Sequence, residues 1–136
     1  MAIDDIVKAV AESALSDEER LGFLDLCEAR SSAQLLADRS RVASHLQVIR
    51  TGVASGSPLE GDLAEPIAAT LIALLDDAPR WSYAERRVLA GAVEYFLRTD
   101  DTDDDFGSDH GLEDDARVVA AVCVALGRSD LAATVR

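Results

Sequence analysis

Between Asp100 and Asp115 the chain places nine carboxylates and not one Lys or Arg: Asp100, Asp101, Asp103, Asp104, Asp105, Asp109, Glu113, Asp114 and Asp115. Like charges this dense repel at close range, and water and salt screen them only in part. Such a segment is either solvated or neutralised by something cationic. Within it Asp101, Asp103 and Asp105 alternate, and Asp109 falls at the ninth place counted from Asp101. That is how an EF-hand-like loop opens, with alternate carboxylates converging on a hard divalent ion. The sixth place, where the sharp turn wants Gly, is Phe106, and the twelfth, where a bidentate Glu belongs, is Leu112 with Glu113 one residue late. A Ca²⁺ or Mg²⁺ site drawn from Asp101, Asp103, Asp105, Asp109, Glu113, Asp114 and Asp115 therefore competes with two other readings. In one, Asp100, Asp101, Asp103, Asp104, Asp105 and Asp109 dock a basic protein partner. In the other, the segment is solvated and its last acids cap a helix.

Catalytic constellations are weaker. His45 and His110 are the only histidines. His45 falls inside a helical pattern, as a surface or boundary residue. His110 beside Asp109 could form a carboxylate–imidazole pair, yet Ser108 lies in no nucleophile elbow and no oxyanion device accompanies it. No phosphate-cradling glycine loop or dinucleotide fingerprint is present. A metal-assisted hydrolase using Asp101, Asp105, Asp114 and Asp115 is the weakest of the readings, because most of those acids sit on one loop and no His joins them. No residue is assigned a catalytic role.

The elements that would position this segment are helical. Ile3, Ile6, Val7, Val10 and Leu15 share one face over 2–15, and Ser16 with Glu19 forms a capping box for a second helix through Cys27. A third helix is expected over 32–50 with Gly52 as its stop. Residues 52–62, rich in Gly, Ser and Pro, read as the one linker. Pro66 suits the first turn of a fourth helix that ends before Pro79. Ser82 and Glu85 box the start of a fifth helix, which ends near Arg98. A sixth runs over 113–126 to Gly127, and Ser129 caps a short seventh. The acidic segment thus joins the fifth helix to the sixth, with Asp114 and Asp115 in a first turn whose dipole favours negative charge. Gly22 and Gly91, inside helices, mark close helix–helix approach. Trp81, Tyr83 and Tyr95 read as core or staple residues. No segment alternates with period two, so the expectation is an all-α, single-domain bundle of six to seven helices over 1–136.

The run from Tyr95 to Asp115 reads YFLRTDDTDDDFGSDHGLEDD and resembles the signature of the YkvA-like family, a bacterial helical domain of unknown function. Tyr95, Asp101, Asp105, Phe106, Gly111, Asp114 and Asp115 meet that pattern without a gap, and the similar segment extends over about 83–121. Thr99 and Asp104 stand where the family has prolines, which leaves this loop less preorganised and more negative. The resemblance implies helices on either side of the loop and brings no activity with it.

Composition sets the remaining bounds. The chain of 136 residues has 26 acids against 13 bases, a formal net charge of −13. Such a surface disfavours nucleic-acid backbones, which need clustered Lys and Arg. No apolar run approaches the ~18 residues of a membrane span, and Asp4 and Asp5 stand where an export signal would be basic. Cys27 and Cys123 lie on apolar stretches without metal-type neighbours and read as buried thiols of a cytoplasmic protein. Taken together, the expectation is an acidic binding or regulatory protein, an adaptor or immunity-type inhibitor, acting by docking through 100–115. A divalent-cation-binding structural domain is the alternative, and self-association is left open.

Overall fold

The structure is a computed structural model that describes Phe23, residues 26–54, 61–97 and 111–135. Among these residues it is helical throughout, with no strand. Five α-helices follow in order: α1 (Ser32–Ala54), α2 (Gly61–Asp76), α3 (Tyr83–Leu97), α4 (Gly111–Ala125) and α5 (Ser129–Ala132). A 3₁₀ turn, Ala78–Arg80, stands between α2 and α3. The all-α class therefore holds. The expected helix over 2–15, most of the one from Ser16, and Gly22 lie outside the described residues.

Two capping boxes fix the starts of α1 and α3. The Ser82 amide donates to Glu85 Oε1 at 2.9 Å, and the Glu85 amide returns to Ser82 Oγ at 3.2 Å. The same reciprocal pair forms at Ser31 and Gln34, at 2.8 and 3.1 Å. That second box satisfies two otherwise orphaned amides of α1. It was equally present in the sequence as Ser-x-x-Gln. At the other end, Gly127 takes φ +77°, the Arg128 amide reaches Cys123 O at 2.7 Å and the Gly127 amide reaches Val124 O at 3.1 Å. This is a Schellman closure of α4, which glycine accommodates without Cβ strain.

Several boundaries differ from expectation. Gly52 does not stop α1, which continues to Ala54, because a single glycine costs a helix only ~1 kcal/mol. The linker contracts accordingly, since α2 begins at Gly61. Pro66 lies inside α2, not in its first turn. It removes one backbone donor, while Ala64, Ile67, Ala68, Leu71, Leu74 and Leu75 are buried around it. Ser129 is the first residue of α5, not its cap; Arg128 holds the cap position with no side-chain hydrogen bond to the backbone.

Packing follows the apolar stripes. α2 lies against α1 and α4, α3 against α1, α2 and α4, and α5 against α4. One core runs through all of them, with Phe23, Leu35, Ile49, Ile67, Leu71, Leu89 and Phe96 fully buried. The Trp81 indole packs on this core and donates to Leu74 O at 2.9 Å, satisfying a carbonyl at the end of α2. Tyr95 also packs against the core. Tyr83 does not: it is 55% exposed at the first position of α3. The Thr70 and Thr134 hydroxyls meet at 2.9 Å and fasten the chain after α5 to α2.

Gly91 makes the close approach that its place in a helix suggested. A Cβ there would stand 2.6 Å from Cys27 Sγ and 3.0 Å from Phe23 Cε1. Both cysteines are buried and unpaired. Burial pushes the Cys27 thiol up to about 12, with Arg87 opposing, and pushes Cys123 up to about 11.

Two predictions rest on this packing. Gly91→Ala gains ~1 kcal/mol of helix propensity but overpacks the contact, at a typical cost of ~1–3 kcal/mol. Urea unfolding should show net destabilisation, and Cys27→Ala should recover part of it; a more stable Gly91→Ala would refute the contact. Secondly, both thiols are protonated and shielded at neutral pH, so iodoacetamide should modify them no faster than the protein opens. Because the unfolded thiols ionise near pH 8.5 and the folded ones far above it, stability should fall as pH rises beyond that value.

Candidate functional site

The inward face of α1 is not purely apolar. Leu35, Asp38, Val42, His45, Leu46 and Ile49 are all buried, so a carboxylate and an imidazole occupy stripe positions otherwise held by aliphatic side chains. His45 is accordingly a core residue and not a surface or boundary one. Its ring stands edge-on to Phe96 with centroids 4.8 Å apart.

Burying Asp38 would be prohibitive without cations. Arg30, from the segment before α1, reaches Asp38 Oδ2 at 2.6 Å, and Arg41, one turn on, reaches Asp38 Oδ1 at 3.1 Å. Both guanidiniums also bond Glu94 of α3, at 2.6 and 2.7 Å to Oε1. Arg41 adds a second, longer bond to Oε2 at 3.3 Å. The result is a closed ring of two cations and two anions joining three segments of chain. Burial works to raise the Glu94 carboxyl. The hydrogen bonds and charges of Arg41 and Arg30 overcome this and hold it below the usual carboxylate range. Glu94 is thus a stable anion at neutral pH and a poor proton acceptor.

Beside this ring, Arg86 donates to Arg30 O at 3.1 Å and Trp81 O at 2.9 Å. Arg87 grips Cys27 O with two bonds, at 3.0 and 2.9 Å. Of these residues only the Asp38–Arg41 spacing of three was a readable helical pair. The partners Arg30 and Glu94 are 64 positions apart, and nothing in their neighbours announces them.

The acids singled out from the sequence fall differently. Asp100, Asp101, Asp103, Asp104, Asp105 and Asp109 lie outside the described residues, as do Ser108 and His110. Glu113 and Asp114 belong to the opening of α4, their side chains outside the description. Asp115 is buried, at 3% exposure, and is engaged in contacts. Because α4 opens at Gly111, two residues earlier than expected, Asp115 falls at its fifth position. It lies beyond the first turn where the dipole acts most strongly, so its burial rests on direct contacts and not on capping. Among the described residues no three His, Cys, Asp or Glu are grouped to hold a metal ion. No helix there is long and apolar enough to cross a membrane.

Comparison with protein-family models, with curated proteins and with solved structures finds no match to this chain.

Removing one member of the ring should expose its dependence on charge. Glu94→Gln leaves Arg30, whose side chain is only 17% exposed, short of an anion. A cost of about 2 kcal/mol is expected, below the ~3–5 of a fully buried pair because Arg41 is half exposed. The Glu94 carboxyl titrates lower in the folded protein than in the unfolded chain. Its contribution is therefore complete above the unfolded value near ~4.3 and lost as pH falls through the folded one. Unfolding curves of wild type and Glu94→Gln should draw together as pH falls from the unfolded value near ~4.3 through the lower folded one; a gap that is constant with pH would show that Glu94 acts by packing alone.

Proposed function

We propose that this chain is a non-enzymatic, cytoplasmic binding protein whose acidic segment 100–115 docks a basic protein partner, as an adaptor or immunity-type inhibitor does. The observation that carries this reading is a shortage of cations. Arg30, Arg39, Arg41, Arg50 and Arg128 are engaged by carboxylates elsewhere: Asp38 and Glu94, Asp76, Glu65, and Asp77 with Asp130. Arg86 and Arg87 are spent on main-chain carbonyls. Arg117 is engaged in contacts of its own, which leaves Lys8, Arg20, Arg80, Arg98 and Arg136, five cations for the acids of the segment and for every other acid besides. The chain cannot neutralise this region from its own resources. An external cation is the remaining source, and a basic protein supplies several at once while being steered in by the long-range field. The resemblance to the YkvA-like signature supports a helix–acidic loop–helix frame of this kind, since α3 and α4 flank the segment.

The test uses the full chain and a lysine-rich peptide of about twenty residues. Binding should weaken steeply with salt. It should be lost when Asp100, Asp101, Asp103, Asp104, Asp105 and Asp109 are changed to Asn. It should survive when Asp4, Asp5, Glu12, Asp17, Glu18 and Asp25 are neutralised instead, an equal change of charge. Equal losses from both sets would reduce the effect to net charge and sink the proposal. Ca²⁺ or Mg²⁺ at matched ionic strength should raise the melting temperature no more than NaCl does. A divalent-specific rise that Asp101→Asn with Asp105→Asn removes would establish coordination in place of docking.

A further inference from the structure

The arginines divide into two kinds. Arg30, Arg39, Arg41, Arg50 and Arg128 each sit on at least one carboxylate. Among the described residues Arg80, Arg86 and Arg87 meet none, although acids outnumber bases two to one in the chain. Chance placement on so acidic a chain would pair most cations, so three exceptions within eight residues call for a physical account.

Arg86 and Arg87 are partly buried, and each is fixed in place by main-chain carbonyls. A guanidinium has five N–H donors, and these carbonyl bonds engage fewer than half of them on either side chain. Carbonyls satisfy donors but carry no charge, so both cations remain uncompensated. Arg86 is anchored on Trp81 O, one residue from Arg80, whose side chain is exposed and makes no hydrogen bond or ion pair among the described residues. Trp81 is partly exposed, with its indole held by Leu74 O, and Tyr83 is 55% exposed. Glu85 is turned to the Ser82 amide, and Glu28, exposed next to Cys27, pairs with neither arginine. One stretch of eight residues thus carries three guanidiniums, a partly exposed Trp81 and an exposed Tyr83, with two of the cations pre-positioned.

We propose that Arg80, Arg86 and Arg87, with Trp81 and Tyr83, form a docking surface for a short acidic peptide segment of a protein partner. Arginine forks match carboxylates in bidentate geometry, and aromatic neighbours supply apolar contact at low entropic cost. A polynucleotide is disfavoured by the same numbers. It carries one charge per ~1.7 Å of duplex and would bring many phosphates against a chain of net charge −13, with only three cations to receive them. A peptide with two or three carboxylates matches the patch and adds little repulsion elsewhere. The patch shares no residue with segment 100–115, so the two readings are tested independently.

Trp81 is the only tryptophan and reports directly on the patch. Titration of the full chain with a glutamate-rich decapeptide containing one aromatic residue should change Trp81 emission saturably, and calorimetry should give the same midpoint. Affinity should fall with salt. Arg80→Glu, at an exposed position with no hydrogen bond or ion pair among the described residues, should weaken binding by at least about tenfold without moving the melting temperature. Arg86→Gln with Arg87→Gln should abolish it. The variant neutralised at Asp100 to Asp109 should bind the decapeptide at least as well as wild type, while losing the lysine-rich peptide. No saturable change, an unaltered affinity in Arg80→Glu, or tighter binding of oligothymidylate than of the decapeptide would each overturn the proposal.

Discussion

The arrangement turns on one buried carboxylate. Asp38 faces inward from α1 at a position where an aliphatic side chain would be cheaper, and an ionised carboxyl there is tolerable only if cations come to it. Arg41 is supplied by the same helix, but Arg30 must arrive from the segment that precedes α1, and both then require Glu94 of α3 to balance them. The approach of three chain segments is therefore tied to charge balance as well as to apolar burial. Arg86 and Arg87 extend the same logic, pinning the main chain of 27–30 from α3. The path of the segment leading into α1 is thus set largely by arginine donors, while Gly91 removes the side chain that would keep Cys27 and Phe23 away.

That use of arginine has a consequence for the rest of the surface. A chain with 13 bases that assigns seven to internal pairs and carbonyls keeps few for screening its own acids. Along the sequence negative charge is densest between α3 and α4. The imbalance is thus partly a by-product of how the core is tied together, and partly a concentration of nine acids in sixteen positions that the core does not require. Only the second component bears on the partner proposed above. Asp115 shows the boundary between the two, since it belongs to the acidic run by sequence and to the buried interior by position.

Helical class was legible because 3.6-residue periodicity and the Ser82–Glu85 box are local properties. So were the Gly127 closure and the close approach at Gly91. Helix ends were less legible where a single residue was read as decisive: Gly52 was read as a stop and Pro66 as a start, yet α1 runs on past the one and α2 begins before the other. His45 was misread, and Asp38 drew no reading, for the opposite reason. Both lie on the apolar stripe of α1, but a polar residue on such a stripe signals a buried partner only if that partner can be found, and Arg30 and Glu94 come from distant sequence. Electrostatic networks of this kind are products of topology, and topology is what a one-dimensional pattern encodes least.

The acidic segment and the arginine patch also illustrate why charge counts and charge geometry answer different questions. The count of −13 says that anions should be repelled everywhere. At the distance of a Debye length, ~8 Å at physiological salt, the local arrangement takes over. A partner at contact distance from Arg86 responds to fixed guanidiniums and their missing counterions more than to charges a Debye length away. The arginine patch proposed above can therefore attract a carboxylate although the chain as a whole is acidic. Arg86 and Arg87 are held by carbonyls that give them position without neutralising them, so the cost of orienting the cations is met by the fold before any partner arrives.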